Sequence, residues 1–306
     1  MFHIIGVGAI GSTIATNFYK NNIQTTIVLK NSTQLANYSG IIIKNDPIKF
    51  LIPAIDIDHI IDINHINIAI KYAIICVKIY DVIGVLTKID PYLGIDHIII
   101  LVCNGIGILD QICDIFPHMR IMFCVCCISA QIDNNNNNNN NNDDNMIDYK
   151  IFKQSYIGAS IGSFSTDEIS FINQTMEQSK LQIVWTDDIQ LEIKKKFTYN
   201  CCLNILAAVY MCTCRQLLSD HKPMLNMLCV ENAKIMSVYG LDITADYLYE
   251  FCVKVLDQIG DNYLSIYRDM MQNKQTELAY LNGQMIKLAN EKDISADINL
   301  ELLNLI

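Results

Sequence analysis

HIIGVGAIGSTIATNFYK, residues 3–20, is the stretch that decides the fold. It runs from an apolar, β-branched segment through three glycines into a segment of helical periodicity. Gly6, Gly8 and Gly11 stand at a spacing with a mechanism. The first glycine permits a tight turn, the second lets backbone approach a pyrophosphate, and the third lets helix pack on strand. The strand-turn-helix context is the one the motif requires. It predicts a dinucleotide cradle made of Gly6, Val7, Gly8, Ala9, Ile10, Gly11 and Ser12; the alternative is an incidental tight turn.

Working outward, HIIGV, TTIVLK, YAIICVK, HIIILVC and RIMFCVCC read as strands whose near-continuous hydrophobicity implies cover on both faces, as in a parallel sheet flanked by helices. YKIF, SYIGAS and LQIVW add further strands, with the helix STDEISFINQTMEQ between the last two. Beyond Asp187 strand signals stop, and helical periodicity runs on through four or five segments. The predicted architecture is α/β: a Rossmann-like, doubly wound domain over residues 1–186, followed by an all-helical domain over 187–306. A cleft between such halves is where a ligand is expected. Residues 131–145, QIDNNNNNNNNNDDN, have nothing to bury and read as a disordered insertion in a loop.

Composition limits the function classes. A hydrophobic fraction of 51% over 306 residues allows a sizeable core, and a net charge of −10 without a long basic run argues against nucleic-acid or anionic-membrane partners. No apolar run reaches the roughly 18 residues of a membrane span, and no secretory signal pattern opens the chain. A cytoplasmic protein acting on a small molecule is the expectation, as monomer or homodimer. The twelve cysteines lie in apolar stretches such as FCVCC and NCCLN and read as reduced core residues. No pair of CxxC motifs supports a zinc site, so no metal is expected.

The second strand ends in Lys30 where NAD-binding chains carry a carboxylate. An ammonium there attracts a 2′-phosphate, which favours NADP(H); a solvated strand end is the alternative. KKKFTYNCCLNILAAVY, residues 194–210, raises a different question. In this apolar helical segment Lys196, Asn200 and Asn204 recur every fourth residue, about 40° apart, and so share a face. Reduction of a ketone by hydride needs a proton for the developing alkoxide and donors that hold the substrate. Lys196 can serve as the acid and the asparagines as the holders. The alternative is a snorkelling lysine with asparagines bonded to neighbouring helices. Of the six histidines only His221 falls in the helical half, which disfavours a histidine acid.

With both motifs in hand, the chain resembles the ketopantoate reductase family nearly end to end. The matching stretches are GVGAIGS, ICVKIYDV around Lys78, LVCNGIG around Asn104, KFTYNCCLN from Lys196 and SIYRDMMQNKQTELAYLNG from Ser265. The resemblance implies NADPH-dependent reduction of 2-dehydropantoate to pantoate in pantothenate and coenzyme A biosynthesis. It implies Lys196 as proton donor, Asn200 and Asn204 as substrate holders, and Asn104 at both nicotinamide and substrate. It further implies Ser265 and, in the same segment, Asp269 toward the substrate, with Glu277 beside the nicotinamide ribose and supporting the lysine. Lys30 and Lys78 are implied at the adenosine 2′-phosphate, and Ala130 at the cofactor through its backbone. Two departures stand out: Ile205 where the family has proline after Asn204, and Cys214 where it has a substrate-binding asparagine. They leave open another branched 2-oxo acid as substrate. A catalytically idle NADPH-binding protein is the third reading.

Overall fold

A computed structural model of the chain describes residues 1–44, 46, 48–59, 69–133 and 146–306. The chain forms two compact units: Met1–Cys103 with Leu109–Ile189, and Asn104–Ile108 with Gln190–Ile306.

The first unit contains twelve strands among the described residues. They are β1 (Phe2–Ile5), β2 (Thr25–Leu29), β3 (Ile41–Ile43), β4 (Lys49–Phe50), β5 (Ala54–Asp56), β6 (Ile70–Ile75), β7 (Leu93–Leu101), β8 (Ile121–Val125), β9 (Ile128–Asp133), β10 (Met146–Ile151), β11 (Ser155–Ile161) and β12 (Ile183–Trp185). Helices α1 (Ala9–Lys20), α2 (Ser32–Ala36), α3 (Val82–Ile89), α4 (Ile108–Ile115) and α5 (Thr166–Gln178) connect them.

Eight strands form one sheet in the order β12-β11-β8-β7-β6-β1-β2-β5. From β5 to β8 all neighbours are parallel; β11 runs antiparallel to β8, and β12 parallel to β11. The chain moves outward from β1 to β2 and β5, then starts again on the other side of β1 with β6. Right-handed crossovers therefore lay α1 on one face and α3 and α4 on the other. Burial agrees. Ile4, Ile74, Ile98, Ile100 and Met122 share a core with Ile14, Ala15 and Phe18 of α1. Their alternates Ile5, Ile75, Ile99, Leu101 and Phe123, which point the other way, are just as enclosed. This is the doubly wound α/β fold expected.

A second sheet, β4-β3-β10-β9, contributes Phe50, Ile41, Ile43, Ile147 and Ile128 to the core that α1 joins. Strands β3, β4 and β5, of two or three residues, are too short to show an alternation in the sequence, whereas β9, ISAQID, alternates but is not among the strands expected. One correction follows: Gln131–Asp133 are not part of a structureless insertion but the end of β9, paired with Met146–Asp148 of β10. The remainder of that insertion, residues 134–145, lies outside the described residues.

The second unit is helical: α6 (Ile189–Tyr210), α7 (Cys214–Asp220), α8 (Lys222–Ser237), α9 (Ala245–Ile259), α10 (Ser265–Met271), α11 (Asn282–Asn290) and α12 (Asp297–Leu303). Seven α-helices replace the four or five expected, because α7, α10 and α12 each span about two turns, too short to show a 3.6-residue period. From Lys196 to Ala208 α6 is enclosed except at Lys196, Tyr199 and Asn200, with Asn204 next at 9% exposure. Among the described residues no single helix is long and apolar enough to cross a membrane.

Candidate functional site

The glycine turn is built as its spacing implies, each glycine for a different reason. Gly6 follows β1 with φ +90°, and a Cβ on it would stand 2.6 Å from Val77 Cγ1. A Cβ on Gly11 would meet the Gly6 carbonyl oxygen at 2.1 Å, so only glycine lets α1 lie this close to the turn. Gly8 is different. Nothing lies within 4 Å of the position its Cβ would take, and it caps α1 at φ −78° without any side-chain hydrogen bond to the first-turn amides. The first turn of α1 has no acidic residue. Uncapped amides at a helix N-terminus, with the dipole behind them and open space before them, form an anion site. The cradle therefore fits a pyrophosphate. Ser12 contributes through the turn itself: its amide donates to Gly8 O at 2.9 Å and its buried hydroxyl to Val7 O at 3.4 Å.

The other residues expected near the nucleotide gather by register. Ile5 of β1 pairs with Val28 of β2 on one side and Ile75 of β6 on the other. The segments that follow these three strands, Gly6–Gly8, Lys30 and Cys76–Lys78, thus emerge together at the carboxyl edge of the sheet, where the strand order reverses. Lys30 is exposed, its amide donating to Gln34 Oε1, and no carboxylate follows the strand because Asn31 caps α2. Lys78 is half-buried at the head of a 3₁₀ turn over Ile79–Asp81. Cys76, next to the turn, is a thiol that burial pushes well above its ordinary range. Ala130 lies within β9, which follows β8 by two residues, and is paired with Tyr149 in the smaller sheet.

Asn104 is also placed differently from the expected division of the chain. It follows β7, yet the loop 104–108 clusters with the helical unit. The loop is docked on one segment of that unit. Asn104 Nδ2 donates to Glu277 Oε2 at 3.2 Å, and the Ile106 amide donates to Tyr280 O at 3.2 Å. Gly105, at φ +93°, would place a Cβ 2.6 Å from Tyr280 O, and Gly107, at φ +84°, faces the Gln284 carboxamide. Glu277 is only 6% exposed, and the carboxamide of Asn104 is oriented by that carboxylate. Two residues expected at the site, 173 positions apart, are thereby brought into contact.

Along α6 the three polar residues keep their common side. Asn204 Nδ2 donates to Asn200 O at 3.2 Å, an i−4 bond that fixes its amide against its own helix. The neighbouring lysines are engaged elsewhere: Lys194 donates to Tyr239 O at 2.8 Å and Lys195 pairs with Glu192 at 2.8 Å. Lys196, half-buried, is the lysine in line with Asn200 and Asn204. Ser265 is exposed at the first residue of α10, with Asp269 half-buried one turn later. Cys214 opens α7 fully enclosed, and burial pushes its thiol up to about 12. A neutral, enclosed thiol offers none of the polar contact that an asparagine would. Sequence reading missed the roles of Tyr280 and Gln284 in seating the loop; the glycines of NGIG were the signal.

Two family models match the chain, Ketopantoate reductase PanE/ApbA over residues 2–147 and Ketopantoate reductase PanE/ApbA C terminal over residues 188–306. The 2-dehydropantoate 2-reductase of Vibrio cholerae is 20% identical over 304 residues, spanning 97% of this chain and 93% of its own. That of Aquifex aeolicus is 22% identical with the same coverage. Among solved structures, D-mandelate dehydrogenase with NADH and anilino(oxo)acetate has a TM-score of 0.81 at 18% identity, covering 100% of this chain and 97% of that one. A PanE/ApbA family ketopantoate reductase from Ralstonia eutropha has a TM-score of 0.80 at 15% identity with the same coverage, a likeness of fold. With both halves matched and the order of motifs kept, the chain belongs to the ketopantoate reductase PanE/ApbA family of oxidoreductases.

Proposed function

We propose that this protein reduces 2-dehydropantoate to pantoate with NADPH. The observation that carries the reading is one side of α6, where the stretch from Lys196 to Ala208, enclosed elsewhere except at Tyr199, leaves Lys196 and Asn200 half-buried in line with Asn204. A cation and two carboxamides on an apolar wall suit a small 2-oxo acid, whose carboxylate and carbonyl both seek donors. The Gly6–Ser12 turn would hold the pyrophosphate, with Lys30 and Lys78 toward the 2′-phosphate. Bound NADPH supplies the hydride that reduces the ketone carbon. Lys196 delivers a proton from Nζ to the oxygen as negative charge grows there. Asn200 and Asn204 orient the substrate. Asn104, its amide held by Glu277, fixes the geometry on the side of the docked loop, and Ser265 and Asp269 complete the polar contacts.

A second reading, reduction of another branched 2-oxo acid, is favoured by one observation: Cys214 is enclosed and neutral where relatives of this family would offer an asparagine. A panel of 2-oxo acids assayed by NADPH oxidation separates the two. Preference for 2-dehydropantoate supports the first reading, and turnover of none of them despite tight NADPH binding supports an idle nucleotide-binding protein. Lys196→Ala is expected to lower kcat by about 10²–10⁴-fold with the nucleotide Kd unchanged, the range for loss of a general acid. Near-normal turnover would remove Lys196 from the chemistry. Lys30→Glu is expected to shift preference from NADPH toward NADH in the same assay.

A further inference from the structure

Three helices of the second unit each turn one cysteine toward the same point. Cys202 of α6, Cys229 of α8 and Cys252 of α9 are fully enclosed, and their Sγ atoms all lie within 4.8 Å of one another. Cys229 Sγ is 3.8 Å from Cys202 Sγ. Packing as small hydrophobes accounts for buried thiols one at a time. It does not account for a buried amide aimed at the cluster. Asn232, itself fully enclosed, donates Nδ2–H to Cys202 Sγ at 3.2 Å. Its orientation is set by Asn299, whose Nδ2 donates to Asn232 Oδ1 and to Glu231 Oε1, each at 2.7 Å. An amide chain anchored on a carboxylate and ending on sulfur presents an N–H donor to that sulfur, an arrangement that orients a metal ligand.

We propose that Cys202, Cys229 and Cys252 form a three-coordinate site for a thiophilic d10 metal ion, with Cu(I) the ion that fits. Around a trigonal ion with metal–sulfur bonds of about 2.3 Å, sulfurs stand about 4 Å apart, close to the separation present here. Thiolate ligands select Cu(I), zinc or iron–sulfur clusters, and zinc takes a fourth ligand. The surrounding core, which includes Leu206, Leu228, Leu248 and Leu256, is apolar and fully enclosed, and among the described residues no fourth His, Cys, Asp or Glu joins the group. Three thiols on three packed helices therefore suit an ion content with three sulfurs. Binding exchanges thiol protons for the metal, and the protons leave to solvent. The site is independent of the reductase reading, although Cys202 lies on α6 between Asn200 and Asn204.

The test is an anaerobic titration of the reduced, metal-stripped full chain with Cu(I) against a bathocuproine-type chelator, with zinc titrated in parallel. One tightly retained equivalent of Cu(I) with thiolate-to-metal absorption is expected. Cys229→Ala and Cys252→Ala should lose it, Cys124→Ala in the other unit should keep it, and Asn232→Leu should weaken it about 10–100-fold. X-ray absorption on the wild-type complex needs no variant and should show three sulfur neighbours at about 2.3 Å. No retained Cu(I), equal retention in the folded cysteine variants, or stoichiometric zinc in preference to Cu(I) would overturn the assignment.

Discussion

At the scale of the residue, the three glycines of the first turn make opposite demands, and substitution separates them. Gly11→Ala would press a methyl into the Gly6 carbonyl at 2.1 Å and is expected to destabilise the first unit by about 3 kcal/mol or more. Gly8→Ala, at an ordinary φ and facing open space, is expected to leave stability within about 0.5 kcal/mol of wild type. The same change should nevertheless weaken NADPH binding about tenfold or more, because the methyl occupies the place left for phosphate. Thermal unfolding and nucleotide titration of the two variants check this; if Gly8→Ala bound NADPH normally, the cradle would not hold the cofactor as proposed. The spacing made these roles readable because each glycine acts within a few residues of the others. The Asn104–Glu277 bond was not readable as a contact, since no local pattern relates residues 173 positions apart.

At the scale of the element, α5 shows how local signals and distant ones combine. Ser165 and Glu168 form a reciprocal capping box, with Ser165 N donating to Glu168 Oε2 at 2.8 Å and Glu168 N to Ser165 Oγ at 3.2 Å. Both residues lie in STDEISFINQTMEQ, the stretch read as a helix from the sequence, and the box fixes where it starts. Hidden from the sequence was Arg120, just before β8, whose two terminal nitrogens reach Glu168 Oε1 and Oε2 at 3.0 and 2.8 Å. The guanidinium, more than the cap, lowers the Glu168 carboxyl to about 2. Arg120→Leu is expected to cost about 1–2 kcal/mol, discounted for solvent screening because 20% and 22% of the two side chains remain exposed. Urea unfolding measures it, and an unchanged midpoint would show the pair to be inert. Short elements escaped the sequence for a related reason. Strands of two or three residues such as β4 and β3 have no period to read, and their place is decided by partners elsewhere in the chain.

At the scale of the molecule, stability should fall toward acid in two steps with separate causes. His97 is enclosed, with Nδ1 on Gly94 O at 2.8 Å and Nε2 receiving the Arg120 amide at 3.2 Å, so a second ring proton has no acceptor. Burial lowers its pKa, and burial lowers that of His3 too. Below pH 6.5 the unfolded chain protonates these imidazoles while the folded chain refuses the proton, so stability declines as pH falls. Glu168 adds a second loss between pH 4.5 and about 2, as the carboxylate held by Arg120 is titrated. Urea midpoints at pH 7.5, 6 and 5 should descend, and His97→Gln should flatten the slope; a midpoint independent of pH over that range would refute the assignment. The α/β then helical order was legible because it rests on periodicity over long segments. The path of the chain between the two units was not. Between β7 and α4 it leaves the first for five residues and returns, and only after Ile189 does it depart for good. Modularity is therefore lost: a fragment ending at residue 186 would carry Gly105 and Gly107 with nothing to dock against. A chimera that exchanges the helical half between relatives has to transplant this loop along with it.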